Sequence, residues 1–528
     1  MKWTDEALTY LEKVPPFVRP MAKKGVEAFA RSRGCTTVTV EIILQARERM
    51  MGKKGGHDHE RGNRAELDSE TACLQPDISR FFAREGVDPL RHAFEKKTAV
   101  HAGAGGTYLE GKAAIQAAWD ASAGKSDASR LRVVYMHIPF CRGRCRFCGF
   151  YMYNLKDDSS RVYTDALLDE IRQCAELPAV ADAPILAVYL GGGTPTELEA
   201  EDLERLLGGI YRYLPLSNDC EITVEGRVDG FTDEKMNACI RGGANRFSLG
   251  VQTFNTEVRR LMGRRASREK ILDRLSRLTA LNQAATVIDL IYGFPGQTMD
   301  IWEKDVRTFL DETDLDGCDM YQLNVFQGGP LATAIEEGKI EPAADIPAQA
   351  EMFSLGRRLA QKAHLKRLSM CHWARSTRER NRYNSFTRYG ATCIPIGCGA
   401  GGRLSGHYFF QEGDLKEYYR RVGEGEKPVA TAMKLPEHSP LFRELVGRME
   451  EGAVDLVSLG KRHGLDLMGL FGPLLSQWER TGLVRLDEDD WVELTEAGEF
   501  WNVNMAQALI DYLLLVTEGK NKPGAMAL

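Results

Sequence analysis

Short apolar runs alternate with amphipathic stretches through the middle of the chain, from about residue 132 onward. Each run is rich in Val, Ile, Leu and Tyr, and the stretch after it has apolar residues at helical spacing. The runs predict strands over residues 132–138, 185–190, 221–225, 245–251, 286–292 and 319–326. The intervening stretches predict helices that include residues 160–177, 232–241, 267–281 and 300–312. Six such units favour an α/β fold with a parallel sheet and crossover helices.

The two ends of the chain have patterns of their own. Residues 1–52 contain three stretches with apolar residues at helical spacing, which predict a small helical domain. Residues 53–78 are polar and charged, as in a linker. Residues 431–528 contain short helical stretches, two short strands around the acidic segment DEDD, and a closing helix from about Glu499 to Val516. This last arrangement resembles a winged-helix domain.

Composition and charge indicate which class of protein and which cellular compartment to expect. The chain has 43% hydrophobic and 27% charged residues, which is ordinary for a soluble globular protein. Its net charge of −6 gives no sign of nucleic-acid or membrane partners. The N-terminus lacks the apolar run of a signal peptide, and no stretch reaches the roughly 20 apolar residues that span a bilayer. We therefore expect a cytoplasmic protein whose twelve cysteines do not form a disulfide framework.

Three of the twelve cysteines fall within eight residues. The segment YMHIPFCRGRCRFCGFY contains Cys141, Cys145 and Cys148, and Pro139 ends the preceding strand, so we expect the cysteines on a loop. Thiolates are the usual ligands of iron–sulfur clusters, and three of them in place of four leave one iron open for chemistry. A zinc site would need a fourth ligand, and none lies nearby in the sequence. The other alternative is a chance group of core cysteines.

Tyr135, the residues HIPF at 137–140 and the three cysteines resemble the signature of the radical S-adenosylmethionine (SAM) superfamily. The branch they most resemble contains oxygen-independent coproporphyrinogen III dehydrogenase. The resemblance implies a [4Fe–4S] cluster held by the three cysteines, with SAM bound to the free iron through its amino and carboxylate groups. It also implies a partial (β/α)6 barrel of the TIM type, here with a small N-terminal helical domain and a C-terminal winged-helix-like domain.

A glycine-rich segment follows the strand at 185–190. The glycines of GGGTPT, residues 191–196, let the backbone approach a ligand closely, although such a segment alone would equally be a tight turn. The resemblance implies that this segment and Glu225 contact SAM, and that a second SAM binds beside the first. Residues implied for the second SAM are Phe147, Gly193, Thr194, Gln252, Arg264 and Asp289. The predicted cofactor-binding set also includes Tyr135, Gly192 and Glu225.

Other segments indicate which member of the branch the chain resembles. The dehydrogenase has a further cysteine where this chain has Phe150. Residues 86–103, residues 373–386 and the tail LTEAGEFWNVNMAQALIDYL look like the anaerobic haem-degrading radical SAM methyltransferases, known as anaerobilin synthases. That resemblance implies methylation coupled to opening of the porphyrin ring. We divide the middle of the chain into an N-terminal extension (79–130), the barrel (131–350) and a segment that completes the barrel and covers the substrate (351–430).

The N-terminal domain shows a resemblance of its own. Its sequence WTDEALTYLEKVPPFVRPMAKKGVEAFARSRG resembles the small domain that ends one subunit of light-independent protochlorophyllide reductase. That protein also acts on a tetrapyrrole. A generic three-helix accessory module is the alternative.

Haem as a substrate would need protein ligands. His101, inside the segment VHAG, is the preferred axial ligand, and the other candidates are His92, His372 and His407. The guanidinium fork fits carboxylates, so the candidates for the haem propionates are Arg375, Arg378, Arg380 and Arg382. A solvated basic helix face is the alternative for that run. The predicted substrate contacts are His92, His101, Arg380 and Tyr383.

Three functions follow from the resemblance. The leading hypothesis is a radical SAM methyltransferase that opens haem, releases iron and a linear tetrapyrrole, and takes electrons from a low-potential donor such as a flavodoxin-type protein. The first alternative is the oxygen-independent coproporphyrinogen III dehydrogenase. The second is a chaperone that binds haem and SAM without turning over the porphyrin.

Overall fold

A small helical unit with its own apolar core begins the chain. The computed structural model describes residues 1–12, 19–33, 35–50, 78–97, 101–126, 131–156, 159–488 and 491–518. The elements of the unit are β1 (Lys2–Trp3), α1 (Asp5–Glu12), α2 (Arg19–Ser32), β2 (Thr37–Val38) and α3 (Val40–Met50). Ala7, Val26, Phe29 and Ile43 belong to its core. The predicted linker over residues 53–78 lies outside the described residues, apart from Ile78.

The next segment, which we call the strap (the described parts of residues 78–126), joins the C-terminal domain to one end of the large sheet. Its elements are α4 (Pro89–His92), β3 (Thr107–Tyr108) and α5 (Lys112–Ala123). The indole N–H of Trp501 donates to the carbonyl oxygens of Pro89 and Leu90, each at 3.0 Å. At the other end, the ring of Trp119 meets that of Phe409 edge-on at 5.1 Å.

The barrel strands run parallel and side by side in the order β4, β7, β8, β9, β10, β11. The strands of this part of the chain are β4 (Arg132–Ile138), β5 (Phe140–Cys141), β6 (Tyr153–Asn154), β7 (Ile185–Gly192), β8 (Leu216–Gly226), β9 (Arg246–Gln252), β10 (Ala285–Tyr292) and β11 (Gly317–Gln322). All six predicted strands are present, although β8 begins earlier than predicted, at Leu216. Their carboxyl ends share one edge of the sheet, where ligands of parallel sheets bind.

Helices connect these strands and cover the outer face of the sheet. They are α6 (Ser159–Ala175), α7 (Pro178–Ala181), α8 (Ala200–Tyr213), α9 (Asp233–Arg241), α10 (Thr256–Leu261), α11 (Arg268–Ala280), α12 (Met299–Glu312), α13 (Pro330–Glu336) and α14 (Ile346–Lys362). Several begin with a side-chain cap that accepts a hydrogen bond from the first turn, at Thr232, Asn255, Ser267, Thr298 and Asp345. These caps fix where each helix leaves the loop above the sheet.

The sheet extends beyond the barrel strands, to thirteen strands within the described residues. The added elements are β12 (Lys366–Arg367), β13 (His372–Ala374), α15 (Arg382–Arg388), β14 (Thr392–Ile396), β15 (Gly401–Leu404), β16 (His407–Gln411), α16 (Leu415–Gly423) and β17 (Val429–Lys434). Strand β14 pairs in parallel with β4, and β15, β16, β17 and β3 continue from it antiparallel. This half of the sheet was not predicted as strands.

The C-terminal domain packs a second apolar core against the strap and α14. Its elements are α17 (Ser439–Glu451), β18 (Ala453–Asp455), α18 (Leu456–His463), α19 (Leu467–Arg480), β19 (Val484–Leu486), β20 (Trp491–Leu494), α20 (Glu496–Phe500) and α21 (Asn502–Glu518). The three strands form an antiparallel sheet in the order β18, β20, β19, as in a winged-helix domain. The predicted closing helix is interrupted at Trp501, between α20 and α21.

Candidate active site

The three cysteines lie on the loop that follows β4, at the carboxyl ends of the barrel strands. The ends of this loop are held together, because β5 pairs in parallel with β6 and the Leu155 N–H donates to the Cys141 carbonyl oxygen at 3.2 Å. Cys141 and Cys145 are buried and Cys148 is half-buried. The backbone N–H of Arg146 donates to a carbonyl oxygen near α10 at 3.2 Å, which fixes the middle of the loop.

The thiols have polar neighbours and little solvent. Cys141 Sγ lies 3.2 Å from the Thr194 hydroxyl, and Cys145 Sγ accepts a hydrogen bond from the Arg227 guanidinium at 3.1 Å. Burial raises the pKa of Cys141 to about 11 and the pKa of Cys148 above its usual range, and the nearby Cys145 raises both further. These two free thiols therefore keep their protons at neutral pH, and a bound cation is needed for both to ionise.

This set of donors fits an iron–sulfur cluster better than a single metal ion. Each cysteine of a [4Fe–4S] cluster binds a different iron, so its sulfur atoms do not converge on one point. Among the described residues, no three His, Cys, Asp or Glu side chains are grouped as ligands of one ion. Cys141, Cys145 and Cys148 nevertheless influence one another's charge, and Arg227 and Arg264 lie near their sulfur atoms. The residues present thus fit the implied cluster.

The glycine turn at the end of β7 packs directly against the cysteine loop. Gly192 has φ +103°, and a Cβ on it would lie 2.4–2.7 Å from the ring of His137. A Cβ on Gly193 would lie 2.6 Å from the Phe140 carbonyl oxygen, and the Gly193 N–H donates to the Ile138 carbonyl oxygen at 2.7 Å. Only glycine allows this approach, which brings Thr194 beside the first cysteine.

Two carboxylates lie in the barrel interior near this turn. Glu225 accepts a hydrogen bond from the Gly192 N–H at 3.2 Å. Burial, and then the negative charge of Asp289, raise the pKa of Glu225 to about 8. Burial and the negative charge of Asp319 raise the pKa of Asp289, which accepts a long hydrogen bond from the Ser248 hydroxyl at 3.5 Å. A bound cation would shift both groups back to the carboxylate form.

Phe147, Gln252 and Arg264 come together beside the cysteine loop. Gln252 ends β9 with φ 73°, an unusual backbone conformation for a residue other than glycine. Arg264 donates to the Gly250 carbonyl oxygen, and its guanidinium lies 5.7 Å from the centre of the Phe147 ring. The buried Gln252 Oε1 and Arg264 Nε have no hydrogen-bond partner among the described residues. Buried polar atoms are normally hydrogen-bonded, so these two atoms are available to water or to a polar ligand.

Tyr135 and Tyr383 lie together inside the barrel. Tyr135 stacks on Tyr189 with ring centres 6.4 Å apart, and Tyr383 of α15 lies 4.9 Å from Tyr189. The Tyr135 hydroxyl is 3.1 Å from His137 Nδ1. The three tyrosines are half-buried, yet desolvation raises the pKa of each. They form a group of partly exposed rings inside the barrel, on which a flat ligand can stack.

The candidate haem ligands differ in exposure and in whether their ring nitrogens already have partners. His101 on the strap is exposed, and partial desolvation lowers its pKa. His92 is exposed at the end of α4. His372 was wrongly considered as an axial ligand, because carboxylates occupy both of its ring nitrogens: Nδ1 lies 2.7 Å from Asp319 and Nε2 lies 3.1 Å from Glu379.

The arginines at 375–382 lie at the amino ends of the barrel strands, the edge opposite the cysteine loop. Arg375 donates to carbonyl oxygens at the end of α12, and Arg378 donates to the Ala284 carbonyl oxygen just before β10. Arg382 pairs with Asp219 at 2.6 Å. These three do not bind propionates as considered above, because their guanidinium groups hold together the amino end of the barrel. Arg380 is exposed on the same segment, and its role in substrate binding stays a prediction.

A chain of buried charges inside the barrel was missed from the sequence. Arg246 at the start of β9 pairs with Glu379 at 3.0 Å, Glu379 meets His372, and His372 meets Asp319. Although burial alone would lower it, Asp319 and Glu379 raise the pKa of His372 to about 9. Asp319 and His372 are 53 residues apart and belong to no motif, so nothing in the sequence joins them.

Comparison with known proteins identifies the family. A family model described as the Radical SAM superfamily matches residues 135–309, which include the cysteine loop and the glycine turn. Anaerobilin synthase of Escherichia coli O157:H7 is 37% identical to the chain over 454 residues, which are 85% of this chain and 98% of that protein. The chain belongs to this radical SAM family. The predicted resemblance is confirmed, and membership implies that this radical SAM enzyme uses a [4Fe–4S] cluster and SAM.

More distant relatives support the same fold. Heme chaperone HemW of Bacillus subtilis is 26% identical over 374 residues, which are 70% of this chain and 96% of that protein. The solved structure of coproporphyrinogen III oxidase from Escherichia coli superposes with a TM-score of 0.64 at 22% identity, and the match covers 76% of this chain and 93% of that one. The predicted α/β fold with a radical SAM barrel is thereby confirmed.

Two further findings concern other parts of the chain. A family model described as the Proto-chlorophyllide reductase 57 kD subunit matches residues 3–47, so the predicted N-terminal resemblance is confirmed. No helix in the described parts of the chain has the length and apolar character needed to cross a membrane.

Proposed function

We propose that this radical SAM enzyme degrades haem without oxygen, as a C-methyltransferase that opens the porphyrin ring and releases iron and a linear tetrapyrrole. The observation that supports this most strongly is the 37% identity to anaerobilin synthase over 98% of that protein. A match of 454 residues is about twice the length of the barrel, so the likeness also includes segments that would shape a substrate site around it.

The residues around the cysteine loop have separate tasks in this proposal. Cys141, Cys145 and Cys148 hold the cluster, which when bound supplies the electron that cleaves SAM. Thr194 and Glu225, at the ends of β7 and β8, hold the amino group of SAM. Glu225 has no cationic partner at salt-bridge distance among the described residues, so a bound ammonium group supplies the charge that a buried carboxylate needs.

A second SAM would bind beside the first, against Phe147, Gln252, Arg264 and Asp289. The unpartnered Gln252 Oε1 and Arg264 Nε can bind its polar groups, since buried polar atoms are normally hydrogen-bonded. The Phe147 ring, already stacked beneath the Arg264 guanidinium, offers a surface for an adenine. The second SAM would supply the methyl group.

Haem would rest on the tyrosines inside the barrel, with His101 of the strap as the axial ligand. The lowered pKa of His101 keeps its imidazole neutral at pH 7, and the neutral form is the one that binds iron. His92 and Arg380 are weaker candidates for contact with the substrate, and Tyr383 is one of the three stacked tyrosines. The electron donor would be a low-potential protein of the flavodoxin type in the cytoplasm, since the low potentials of such clusters exclude weak reductants.

One experiment tests the proposal against its alternatives. The enzyme is reconstituted without oxygen and incubated with haem, SAM and a strong reductant, while the Soret band is followed and the products are weighed by mass spectrometry. We expect loss of the Soret band and a methylated, iron-free, open tetrapyrrole. Intact haem would contradict the proposal and would point to a haem-binding chaperone if haem and SAM remain bound. Conversion of coproporphyrinogen, which Phe150 at the position of the dehydrogenase's extra cysteine argues against, would point to the dehydrogenase.

A further inference from the structure

Two arginines near the inner face of the extended sheet, one on a strand and one on a helix, have no anionic partner among the described residues. Arg403 lies on β15 and Arg443 on α17. Within the described residues neither forms an ion pair with a carboxylate, and the buried Nε atom of each lacks a hydrogen-bond partner. Arg443 has one long side-chain contact, with the Ser439 hydroxyl at 3.4 Å. Arg246, by contrast, is buried and paired with a carboxylate at 3.0 Å.

The two guanidinium groups also repel each other. Burial lowers the pKa of Arg443 to about 9, and the positive charge of Arg403 lowers it further. Among the residues that the structure describes, no carboxylate offsets either effect on Arg443. Two half-buried cations close together are unfavourable unless an anion joins them. What this place lacks is an anion with two charges, or two carboxylates side by side.

The surface around the arginine pair (Arg403 and Arg443) is aromatic and faces the barrel interior. Residues in register share one face of the sheet, and the row that includes Arg403 is Val133, Cys393, Arg403, Tyr408, Met433 and Tyr108. Val133 and Cys393 pack with Tyr135 and Tyr383. Tyr408 is half-buried and close enough to Tyr135 and Tyr383 to raise the pKa of both, so it belongs to the same group of rings.

The arginine pair lies within reach of the SAM-binding residues. Arg403 is two strands away from β4, a distance of about 10 Å across the sheet. Its row meets β4 at Val133, two residues before Tyr135, or about 7 Å along the strand. A flat macrocycle that rests on Tyr135, Tyr383 and Tyr408 can therefore extend from the arginine pair toward Glu225.

We propose that Arg403 and Arg443 bind the two propionate carboxylates of the tetrapyrrole and so determine which edge of the macrocycle faces SAM. The inference rests on the proposed function, because it takes a tetrapyrrole as the ligand inside the barrel. Guanidinium groups bind carboxylates through paired hydrogen bonds, and haem has two propionates on one edge. The arginine pair takes over the role considered for Arg375, Arg378 and Arg382, whose guanidinium groups already bind carbonyl oxygens or Asp219.

Haem binding to the anaerobically reconstituted, full-length enzyme tests the pair directly. A titration followed at the Soret band gives the Kd for the unmodified enzyme and for the double variant with Arg403→Gln and Arg443→Gln. We expect the Kd to rise about ten- to a hundredfold, since charged hydrogen bonds are lost. Lysines at both positions should restore part of the affinity. The control is Arg358→Gln, which removes an exposed arginine of α14 and should leave the Kd unchanged.

Haem dimethyl ester separates the contribution of the propionates from that of the macrocycle. The ester has the same ring but no carboxylates, so it should bind weakly and equally to the unmodified enzyme and the double glutamine variant. Cluster absorbance and SAM cleavage without haem report whether each variant is folded. If the double variant fails that check, the Arg403→Gln variant decides the question through the same comparison of haem with its ester.

The outcomes separate this inference from the proposed function. An equal Kd for haem in the unmodified enzyme and the double variant overturns the arginine pair, and ring opening by the unmodified enzyme then leaves the proposed function standing. If the unmodified enzyme leaves haem intact but converts coproporphyrinogen, the proposed function fails. A KM for coproporphyrinogen that rises in the double variant would then still support the arginine pair, because that substrate also has propionates.

Discussion

The charged side chains inside the barrel have different partners toward the amino ends and toward the carboxyl ends of the strands. Toward the amino ends of the strands, Arg246, Glu379 and His372 form consecutive ion pairs at 3.0 and 3.1 Å, and His372 pairs with Asp319 at 2.7 Å. Toward the carboxyl ends, Glu225 has a backbone N–H as its partner and, within the described residues, no cation at salt-bridge distance. Arg246, Glu379 and His372 are buried and Glu225 is half-buried, so the two halves differ in partners and also in exposure.

Two neighbouring aspartates define the boundary between these halves. Asp289 and Asp319 are register partners on β10 and β11. The pKa of Asp319 is lowered despite its burial, because His372 binds it, whereas burial and the charge of Asp319 raise the pKa of Asp289. Partnered charges stabilise a fold, while unpartnered buried charges persist where a ligand supplies the missing partner. We therefore interpret the paired charges beside β9–β11 as a structural network, and the unpaired carboxylates at the carboxyl ends of the strands as part of the binding site.

The largest effect that this comparison predicts is at the cysteine loop. Cys148→Ala removes one thiolate from the carboxyl half, so the protein should hold no stable four-iron cluster and SAM cleavage should be abolished. Iron content and the 5′-deoxyadenosine formed with a strong reductant measure this. The control is Cys239→Ala, a change on the buried face of α9 that removes a thiol far from the loop in sequence. Normal SAM cleavage by the Cys148 variant would exclude this loop as the cluster site.

The next effect is on stability and should be confined to the amino half. Glu379→Ala leaves Arg246 and His372 buried without their shared carboxylate, which should lower the free energy of unfolding by about 3–5 kcal/mol. Denaturant unfolding measures this. Glu424→Ala breaks an exposed ion pair with Arg420 and should lower the free energy of unfolding by less than about 1 kcal/mol. Equal losses for the two variants would contradict a structural role for the buried network.

The elements that depend on residues close together in the sequence could be predicted from it. The strands and crossover helices of the barrel were predictable because buried parallel strands are continuous apolar runs separated by amphipathic helices. The cysteine loop was predictable because its donors are adjacent in sequence. The cysteine loop and the glycine turn depend only on local chain geometry, which consecutive residues determine.

The rest depends on contacts between distant parts of the chain. Strands β14–β17 are short and follow one another antiparallel, and their pattern was assigned only to a covering segment. The buried pairs join Arg246 to Glu379 and Asp319 to His372 across 133 and 53 residues. The arginines at 375–382 form a basic run in the sequence, but their partners are carbonyl oxygens and carboxylates at the amino end of the barrel. Sequence alone could not distinguish these arginines from Arg403 and Arg443.

A smaller effect is expected at His101 on the strap, and it should concern haem binding but not SAM cleavage. His101→Ala should weaken haem binding by about 1.4 kcal/mol or more, which is tenfold in Kd, and should change the Soret band of bound haem. SAM cleavage without haem should be unchanged, because His101 is on the strap and away from the cysteine loop in sequence. His463→Ala, in the C-terminal domain, is the matched control. Unaltered haem binding and spectrum in the His101 variant would remove that residue from the site.

The smallest predicted effect is a pH dependence of SAM binding, which arises from Glu225 in the carboxyl half of the barrel. Burial and Asp289 raise the pKa of Glu225 from 4.5 to about 8 in the ligand-free protein, so the carboxyl group is largely protonated at about pH 6.5. The folded protein thus holds this proton more tightly than the unfolded chain. The resulting cost to stability is absent below about pH 4.5 and grows until the pH reaches about 8. SAM brings positive charge and favours the carboxylate, so it should bind several-fold more tightly at about pH 8.5 than at pH 6.5.

The variant Glu225→Gln isolates this contribution. The amino group of SAM also titrates near neutral pH, but it does so equally for the unmodified enzyme and the variant, so the difference between their pH profiles belongs to the protein. The glutamine keeps the shape of the side chain and cannot ionise, so its SAM affinity should be weaker and should change less between pH 6.5 and 8.5. Identical pH profiles would mean that Glu225 already has a cationic partner before SAM binds. Glu225 would then be paired like the charges of the amino half, and it would no longer indicate a ligand site.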